Sequence, residues 1–401
     1  TARRTAAPGR GDAGRGGTVR GAYRPPFWAR WLVVLGAIVA LVGFGGMAVA
    51  KFYVGQLTKG IETTTAALDT GDAEAQQRAA ARLPTGAIDM LLLGLDTRTG
   101  WNETGQLSRA DTIVVLHISA SRDQAYLISI PRDTVARIPA DEEMEFRGAT
   151  TRINSAYAYG SAQGRGWSGG ARLTAAAVTE LTGLEFDGVA VIDFSGFKRV
   201  VEALGRVRMC VERDTWSSHY SIGDEGAPVY DSGRDGSRPG PKPWIHQAGC
   251  RAMEGWEALD FARQRYGLPN GDYDRQKHQQ QLLRAMAGRA TSAGVLTSPK
   301  RVAEVLAAAG QSLKLDTRGV PVADFLFGLK SLAAADLVAI KTNGGTFASA
   351  GKGGGETITY ATQKMFAAAS KDRLGQFLME HPEFIATDPV VQPSKRPRKR
   401  S

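Results

Sequence analysis

Residues 262–280, ARQRYGLPNGDYDRQKHQQ, set Arg263, Arg265, Arg275 and Lys277 among glutamines, with Asp272 and Asp274 between them. The stretch lacks the apolar periodicity that would bury it as core. A solvated charged face is one use for such a run. Recognition of a dense anion is the other, because a guanidinium fork matches two phosphate oxygens at once and a helix N-terminus adds amide donors. Arg263 and Arg265 share a face only if the chain is extended there; in a helix they would diverge by about 200°. GWEALDFA before them reads as helix, which puts the pair at a helix-to-strand change. After the turn GLPNGD, Asp274 is the expected N-cap of a helix through RQKHQQQLLRAM, on which Arg275 and Gln279 fall four apart on one face.

A second set of polar residues brackets short apolar runs. Asp96 and Arg98 follow LLLGL, Arg132 and Asp133 follow YLISIP, and Arg109 and Asp111 precede TIVVLHI. In open α/β sheets that edge is where ligands bind. If the run after Asp111 is antiparallel to the one before Asp96, the two carboxylates approach each other and call for a cation; hard oxygen ligands suit Mg²⁺ or Mn²⁺. Aspartates in loops also serve simply as caps and turns. Arginines beside a carboxylate-held metal suit a pyrophosphate, and phosphoryl transfer depends on that kind of positioning and charge neutralisation. Other chemistries lack their residues. GTFASAGKG (345–353) departs from a P-loop in spacing and lacks its Ser or Thr, so it is expected to be a flexible loop. No HExxH or CxxC occurs, which argues against a zinc enzyme.

The elements that must position these residues are legible as patterns. DMLLLGLD, DTIVVLHIS and AYLISIPRD are short apolar runs bounded by polar residues, as buried strands are. FDGVAVID, FSGFKRVVEALG and RVRMCVE read as strand, helix and strand, with Gly205 where a helix C-cap belongs. An α/β layered sheet is the natural class. Residues 55–86 are Ala-rich and predict a helical stalk; residues 291–387 complete the domain begun at 87–290; and the Pro-, Lys- and Arg-rich end, 388–401, reads as disordered.

The net charge of +10 is unevenly placed. Seven arginines against Asp12 make residues 1–30 a basic, disordered leader of +6, and 395–400 add +5, which leaves the remainder at −1. A body so nearly neutral has no field to steer it onto DNA, so no nucleic-acid partner is expected. Residues 31–50 carry no charge and belong to a segment, 31–54, expected to cross the bilayer as one helix. The basic leader then keeps the N-terminus cytoplasmic and the body extracytoplasmic. Cys210 and Cys250 are the two cysteines, both beyond the span. In an oxidising compartment they suggest a disulfide closing the Gly-, Pro- and Ser-rich loop between them; two separate buried thiols are the other reading.

Taken in order, LLLGLDTR, SRADTIVVLHI, LISIPRDT, RINSAYAYG and ARQRYGLPNGDYDRQKHQQQLL, behind one amino-terminal span, resemble the LytR-CpsA-Psr (LCP) family of bacterial cell-wall proteins over roughly residues 87–290. The resemblance implies a layered α–β–α domain with a central mixed β-sheet, and an apolar cavity for the tail of a polyprenyl pyrophosphate carrier. The implied activity is a phosphotransferase that moves a glycopolymer phosphate from that carrier to a hydroxyl of peptidoglycan, with Mg²⁺ (or Mn²⁺). Carried over by motif, Asp96 and Asp111 would hold the metal. Arg109, Arg132, Arg263, Arg265 and Arg275 would bind the pyrophosphate, with Gln279 beside them, and Arg98, Asp133 and Arg152 would complete the substrate site. Arg152 stands where the family has lysine and keeps its charge. Asp111 or Asp133 is then the candidate proton acceptor. Gly, Ala and Arg usage suggests an actinobacterial member. Two rival readings are a non-catalytic binder of the isoprenoid carrier, which could use the same arginines, and a transcription regulator, for which thirty Gly- and Arg-rich cytoplasmic residues are too few.

Overall fold

The computed structural model describes residues 61–68, 86–95, 108–231, 238–295, 298–320, 336–351 and 354–387. In chain order the first half comprises β1 (Glu62–Thr64), β2 (Ile88–Leu95), β3 (Ala110–Ile118), β4 (Gln124–Ile130), β5 (Val135–Ile138), β6 (Ala149–Arg152), α1 (Ser155–Ser161), α2 (Gly166–Thr182), β7 (Gly188–Asp193) and α3 (Phe194–Leu204). The second half comprises β8 (Val207–Val211), β9 (Thr215–Ile222), β10 (Pro228–Tyr230), β11 (Pro243–His246), β12 (Gly249–Met253), α4 (Gly255–Arg263), α5 (Asp272–Ser292), α6 (Pro299–Ala309), β13 (Leu313–Asp316), β14 (Asp336–Lys341), α7 (Tyr360–Ala369) and α8 (Leu374–Glu380).

β2, β3 and β4 are the apolar runs of the sequence, and each is buried or half-buried along nearly its whole length. Strands read that way when both faces of the sheet are covered. They form the centre of a seven-stranded sheet in the order β1-β13-β7-β2-β3-β4-β14. β2 runs antiparallel to β3 and parallel to β7, β3 is antiparallel to β4, and β14 joins β4 in parallel, so the sheet is mixed. Because strand side chains alternate, Leu91, Leu93, Ile113 and Ile128 share one face and pack against Tyr157, Leu173 and Val178 of α1 and α2 and Phe366 and Phe377 of α7 and α8. On the other face, Ala190 and Ile192 of β7 meet Val200 of α3 and Leu306 of α6. Helices on both sides make the α–β–α layering, with β13 and β14 from the C-terminal part inside the same sheet.

Local signals stop the elements where the site needs them. Asp193 caps α3 by accepting a hydrogen bond from the Gly196 amide at 2.8 Å, and Gly205 ends that helix. α2 ends at Gly183, whose left-handed backbone (φ 72°) sends its amide back to the Thr179 carbonyl.

Two expectations change. Within the segment expected to be a helical stalk, Glu62–Thr64 form a strand paired in parallel with β13. The β-branched residues Ile61, Thr63, Thr64 and Thr65 favour an extended chain locally, and docking on a sheet edge outweighs the Ala-rich stretch that follows. The Gly-, Pro- and Ser-rich loop between the cysteines contains a three-stranded antiparallel sheet, β10-β9-β11. Its buried residues include Thr215, Ser217, Ser218 and His246, so it carries no hydrophobic alternation by which to be read. The disulfide between Cys210 and Cys250 is formed and joins directly opposed residues of β8 and β12. The basic leader (1–30), the apolar segment (31–54), most of 55–86 and the tail (388–401) lie outside the described residues. Among the described residues no helix is long and apolar enough to cross a membrane.

Candidate active site

The β2–β3 pairing places Leu95 opposite Ala110, so the exit of β2 and the entrance of β3 lie side by side, as an antiparallel pair requires. Asp96 and Arg98, just past that exit, fall outside the described residues. On the other flank Ile113 pairs with Ile130. Two residues outward along the same register, Asp111 and Arg132 meet in an ion pair, Nη1 to Oδ1 at 2.9 Å. Arg132 Nε also lies 3.6 Å from Asp133 Oδ2 and 3.8 Å from Asp272 Oδ1. Arg152, at the end of β6, approaches Asp133 Oδ1 at 3.6 Å.

The 262–280 segment closes the site from the helix side. α4 ends at Arg263, and Gln264 is extended (φ −65°, ψ 134°), followed by a turn rather than a strand. α5 starts at Asp272 with Gly271 as its N-cap. Asp274 is therefore not the cap: it sits in the first turn and accepts from the Asn270 amide (2.9 Å) and side chain (3.1 Å), stapling the preceding turn to the helix. Arg275 reaches Asp272 Oδ1 at 2.7 Å, and its Nη2 donates to the Asp111 carbonyl at 3.4 Å. The Arg263 guanidinium lies over the Phe194 ring at 3.9 Å and that of Arg265 over Tyr266 at 4.5 Å.

Three carboxylates and a crowd of guanidiniums thus share a partly dry space. Burial works against the Arg132 charge, but Asp111, Asp272 and Asp133 outweigh it and hold its pKa above the usual value. Arg275 goes the other way. It is 6% exposed, burial lowers its pKa, and the like charges of Arg132 and Arg265 oppose the help from Asp272 and Asp111. Its buried Nε and that of Arg132 have no hydrogen-bond acceptor, although Asp272 is close to both side chains. Donors held in surplus in this way suit an anion that brings its own oxygens.

Glu356 completes the cluster, and nothing in its sequence context pointed to it. Burial pushes its carboxyl up to about 8; a hydrogen bond from the Ala348 backbone opposes this, and Asp272 and Asp133 add to it. Its amide donates to the Asp133 carbonyl at 3.0 Å, and its carbonyl accepts from the Val135 amide at 2.7 Å. Its Oε1 accepts from Asn343 Nδ2 at 2.9 Å. Glu356, three residues past the expected flexible loop (345–353), is thus stitched to the turn that carries Arg132 and Asp133, and the described part of that loop pairs back on it, the Ala348 carbonyl accepting from the Thr357 amide at 2.7 Å. Tyr273 of α5 holds it from the other side by donating to the Thr346 carbonyl at 2.8 Å.

Beside the cluster lies an apolar cavity of about 230 Å³ between the sheet and α3, α4 and α5. Leu92, Val114 and Ile192 form its floor, and Phe197, Leu283 and Met286 its walls. Thr112, Arg263 and Gln279 also line it, and these are the neighbours in sequence or on the helix face of Asp111, Arg265 and Arg275. Cavity and charged cluster therefore lie next to each other around the first turns of α5, Thr112 adjoining Asp111 and Gln279 standing one turn from Arg275. Of the residues singled out from the sequence, the structure gathers Asp111, Arg132, Asp133, Arg152 and Arg275, and sets Arg263 and Gln279 in the cavity wall. Arg265 stands near enough to Arg275 to act on its charge. Arg109 is exposed one residue before β3, outside the ion pairs of the cluster.

Among the described residues no group of three His, Cys, Asp or Glu side chains is arranged to hold a metal. A Mg²⁺ ion needs less from the protein, since it keeps waters and takes substrate phosphate oxygens beside one or two carboxylates. Asp111 fits that role: Arg132 engages one of its oxygens, and its side chain is 21% exposed.

An α/β domain that sets an apolar cavity beside arginines and carboxylates has the parts to hold an amphiphile with a dense anionic head. The chain belongs to the LytR_cpsA_psr family, whose model matches residues 53–365. It is 26% identical over 281 residues to the polyisoprenyl-teichoic acid–peptidoglycan teichoic acid transferase TagU of Oceanobacillus iheyensis, covering 70% of this chain and 75% of that one. It is 28% identical over 279 residues to the cell wall biosynthesis protein LcpA of Corynebacterium glutamicum, covering 62% of this chain and about half (48%) of that one. Protein gbs0355 from Streptococcus agalactiae has a similar structure, with a TM-score of 0.56 at 19% identity over 75% of this chain and 91% of that one. At that identity the likeness concerns the fold alone.

Proposed function

We propose that this chain is a membrane-anchored, extracytoplasmic phosphotransferase that moves a glycopolymer phosphate from a polyprenyl pyrophosphate carrier to peptidoglycan. The observation that carries the reading is the apolar cavity, with Arg263 and Gln279 in its wall, lying beside the Arg132, Arg275 and Asp111 cluster. An isoprenoid tail fits the first and a pyrophosphate the second. The family membership and the transferase name of the relative from Oceanobacillus iheyensis support the same activity.

In this mechanism Arg132, Arg275, Arg263 and Arg265 neutralise the pyrophosphate and hold its polymer-side phosphorus in line with the acceptor. The oxygen of a peptidoglycan sugar hydroxyl forms a new bond to that phosphorus. The bridging P–O bond breaks, and its electron pair leaves with polyprenyl phosphate. The hydroxyl proton passes to Asp133, the most exposed of the three carboxylates at 36%, against 28% for Asp272 and 21% for Asp111. Mg²⁺, or Mn²⁺, bound by Asp111 and Asp96, would supply further neutralisation of phosphate charge. Residues 31–54 anchor the chain, and the basic leader stays cytoplasmic.

The test is to incubate the full-length chain in phospholipid vesicles with a lipid-linked pyrophosphoryl glycan and peptidoglycan oligomers, with Mg²⁺ or with EDTA, and to look for the joined product by mass spectrometry. A metal-dependent conjugate supports the transferase. Tight lipid binding without a conjugate from any glycan would leave a carrier-binding protein instead.

A further inference from the structure

The disulfide between Cys210 and Cys250 ties β8 to β12, and the chain between the two cysteines carries the sheet β10-β9-β11. The polar groups buried there carry a desolvation cost that only hydrogen bonds offset. Their partners lie at the end of α4. His219 Nδ1 and His246 Nε2 contact the two oxygens of Asp260 at 2.8 and 2.7 Å. Gln264 Nε2 donates to Asp260 Oδ1 at 2.9 Å and to the Asp260 carbonyl at 2.8 Å, and Gln264 Oε1 accepts from the Ser218 amide at 2.8 Å. Asp260 is 1% exposed, and His246 and Gln264 are wholly buried.

A third contact lies beyond Arg265. Gly267 has a left-handed backbone (φ 73°), and a Cβ there would stand 2.6 Å from Trp216 Nε1, so only glycine lets the chain pass β9 at this point. Residues 260, 264 and 267 are thus gripped by the small sheet, and Arg263 and Arg265 lie between the grips. α4 has nine residues, too few to hold its last turn without tertiary support.

We propose that the buried cluster of Asp260, His219, His246 and Gln264 is a positioning device, which fixes the chain at the end of α4 so that Arg263 and Arg265 face the donor pyrophosphate before it arrives. This rests on the reading that those arginines bind the donor. The four residues of the cluster touch no substrate; they act through the two arginines. Arginine side chains lose much rotamer freedom when they bind, and a backbone already fixed lowers what remains to be lost.

The test compares full-length Gln264→Leu, His219→Leu and Asp260→Asn with the wild type in vesicles, measuring KM for the lipid-linked donor, KM for the peptidoglycan acceptor, kcat and the melting temperature. Gln264→Leu and His219→Leu should raise donor KM by roughly tenfold and leave acceptor KM unchanged. Asp260→Asn should stay close to wild type, because a carboxamide can still accept from one imidazole and donate to the other. Gln264→Leu should add nothing to the donor KM of Arg263→Ala,Arg265→Ala, since the device acts only through those side chains.

An unchanged donor KM in both leucine variants, a loss confined to kcat, or additivity with the double arginine variant would overturn the proposal. His219 is at the edge of the cluster, with its side chain 20% exposed, so that variant decides the matter if Gln264→Leu does not fold. A wild-type chain that neither binds nor consumes the lipid donor counts against the transferase reading itself. Wild-type donor KM in the double arginine variant overturns the positioning role.

Discussion

Replacing Glu356 by Gln should make the protein more stable, and by an amount that grows with pH. Glu356 is 3% exposed, and its carboxyl is raised from 4.5 to about 8, with burial the main cause. Below pH 4.5 the group is protonated in both the folded and the unfolded chain, and it contributes no pH dependence. Between 4.5 and 8 the unfolded chain releases the proton while the folded chain keeps it, so wild-type stability falls by up to about 1.4 kcal/mol per pH unit relative to the glutamine variant. At pH 7 the difference should reach about 2–3 kcal/mol after allowance for solvent screening. Glutamine preserves the acceptor for Asn343 Nδ2, so the hydrogen bond that orders the loop survives. The assay is urea unfolding of both full-length proteins in one mild detergent at pH 5, 6, 7 and 8. A stability difference that stays constant over this range, or that favours glutamate at pH 8, would refute the assignment of a buried neutral carboxyl.

Arg132→Gln removes the cation shared by Asp111, Asp133 and Asp272 and should lower kcat about 10²–10³-fold in the mass-spectrometric transfer assay, as loss of a transition-state charge contact does. Met286→Trp puts an indole into the 230 Å³ cavity; binding of a long-chain polyprenyl pyrophosphate should weaken by more than about tenfold, while inhibition by inorganic pyrophosphate stays unchanged. Asp111→Asn should raise the Mg²⁺ concentration needed for half-maximal transfer and, by calorimetry, weaken Mg²⁺ uptake in the presence of pyrophosphate. Replacing Cys210 and Cys250 together by Ser opens a loop with a sequence separation of 40, which should cost about 4 kcal/mol in chemical unfolding on the chain-entropy estimate.

Much of this architecture is carried by local pattern. The uninterrupted apolar runs of β2, β3 and β4 demand burial on both faces, and Gly205 ends α3 because a positive-φ cap favours glycine. The pairing of Asp111 with Arg132 follows once β3 and β4 are antiparallel, because strand register carries side chains outward in step. The spacing of Arg275 and Gln279 likewise places both on one face of α5.

What lay beyond the sequence depends on contacts between segments far apart in the chain. Glu356 belongs to the site because its backbone bridges the distant turn at Asp133, and no local pattern encodes that meeting. The sheet between the cysteines buries polar side chains that hydrogen-bond to α4 and packs Tyr220 and Trp244 on Trp256, a mixed face that shows no simple apolar alternation. Glu62–Thr64 became a strand because an edge of the sheet was available, a preference that short segments take from their surroundings. The amino-acid sequence by itself determined the residue types of an anion site and the strands that carry half of it. Only the tertiary structure decided which carboxylate stays protonated and how the two arginines at the end of α4 are held, because burial and long-range hydrogen bonds exist only once the chain has closed on itself.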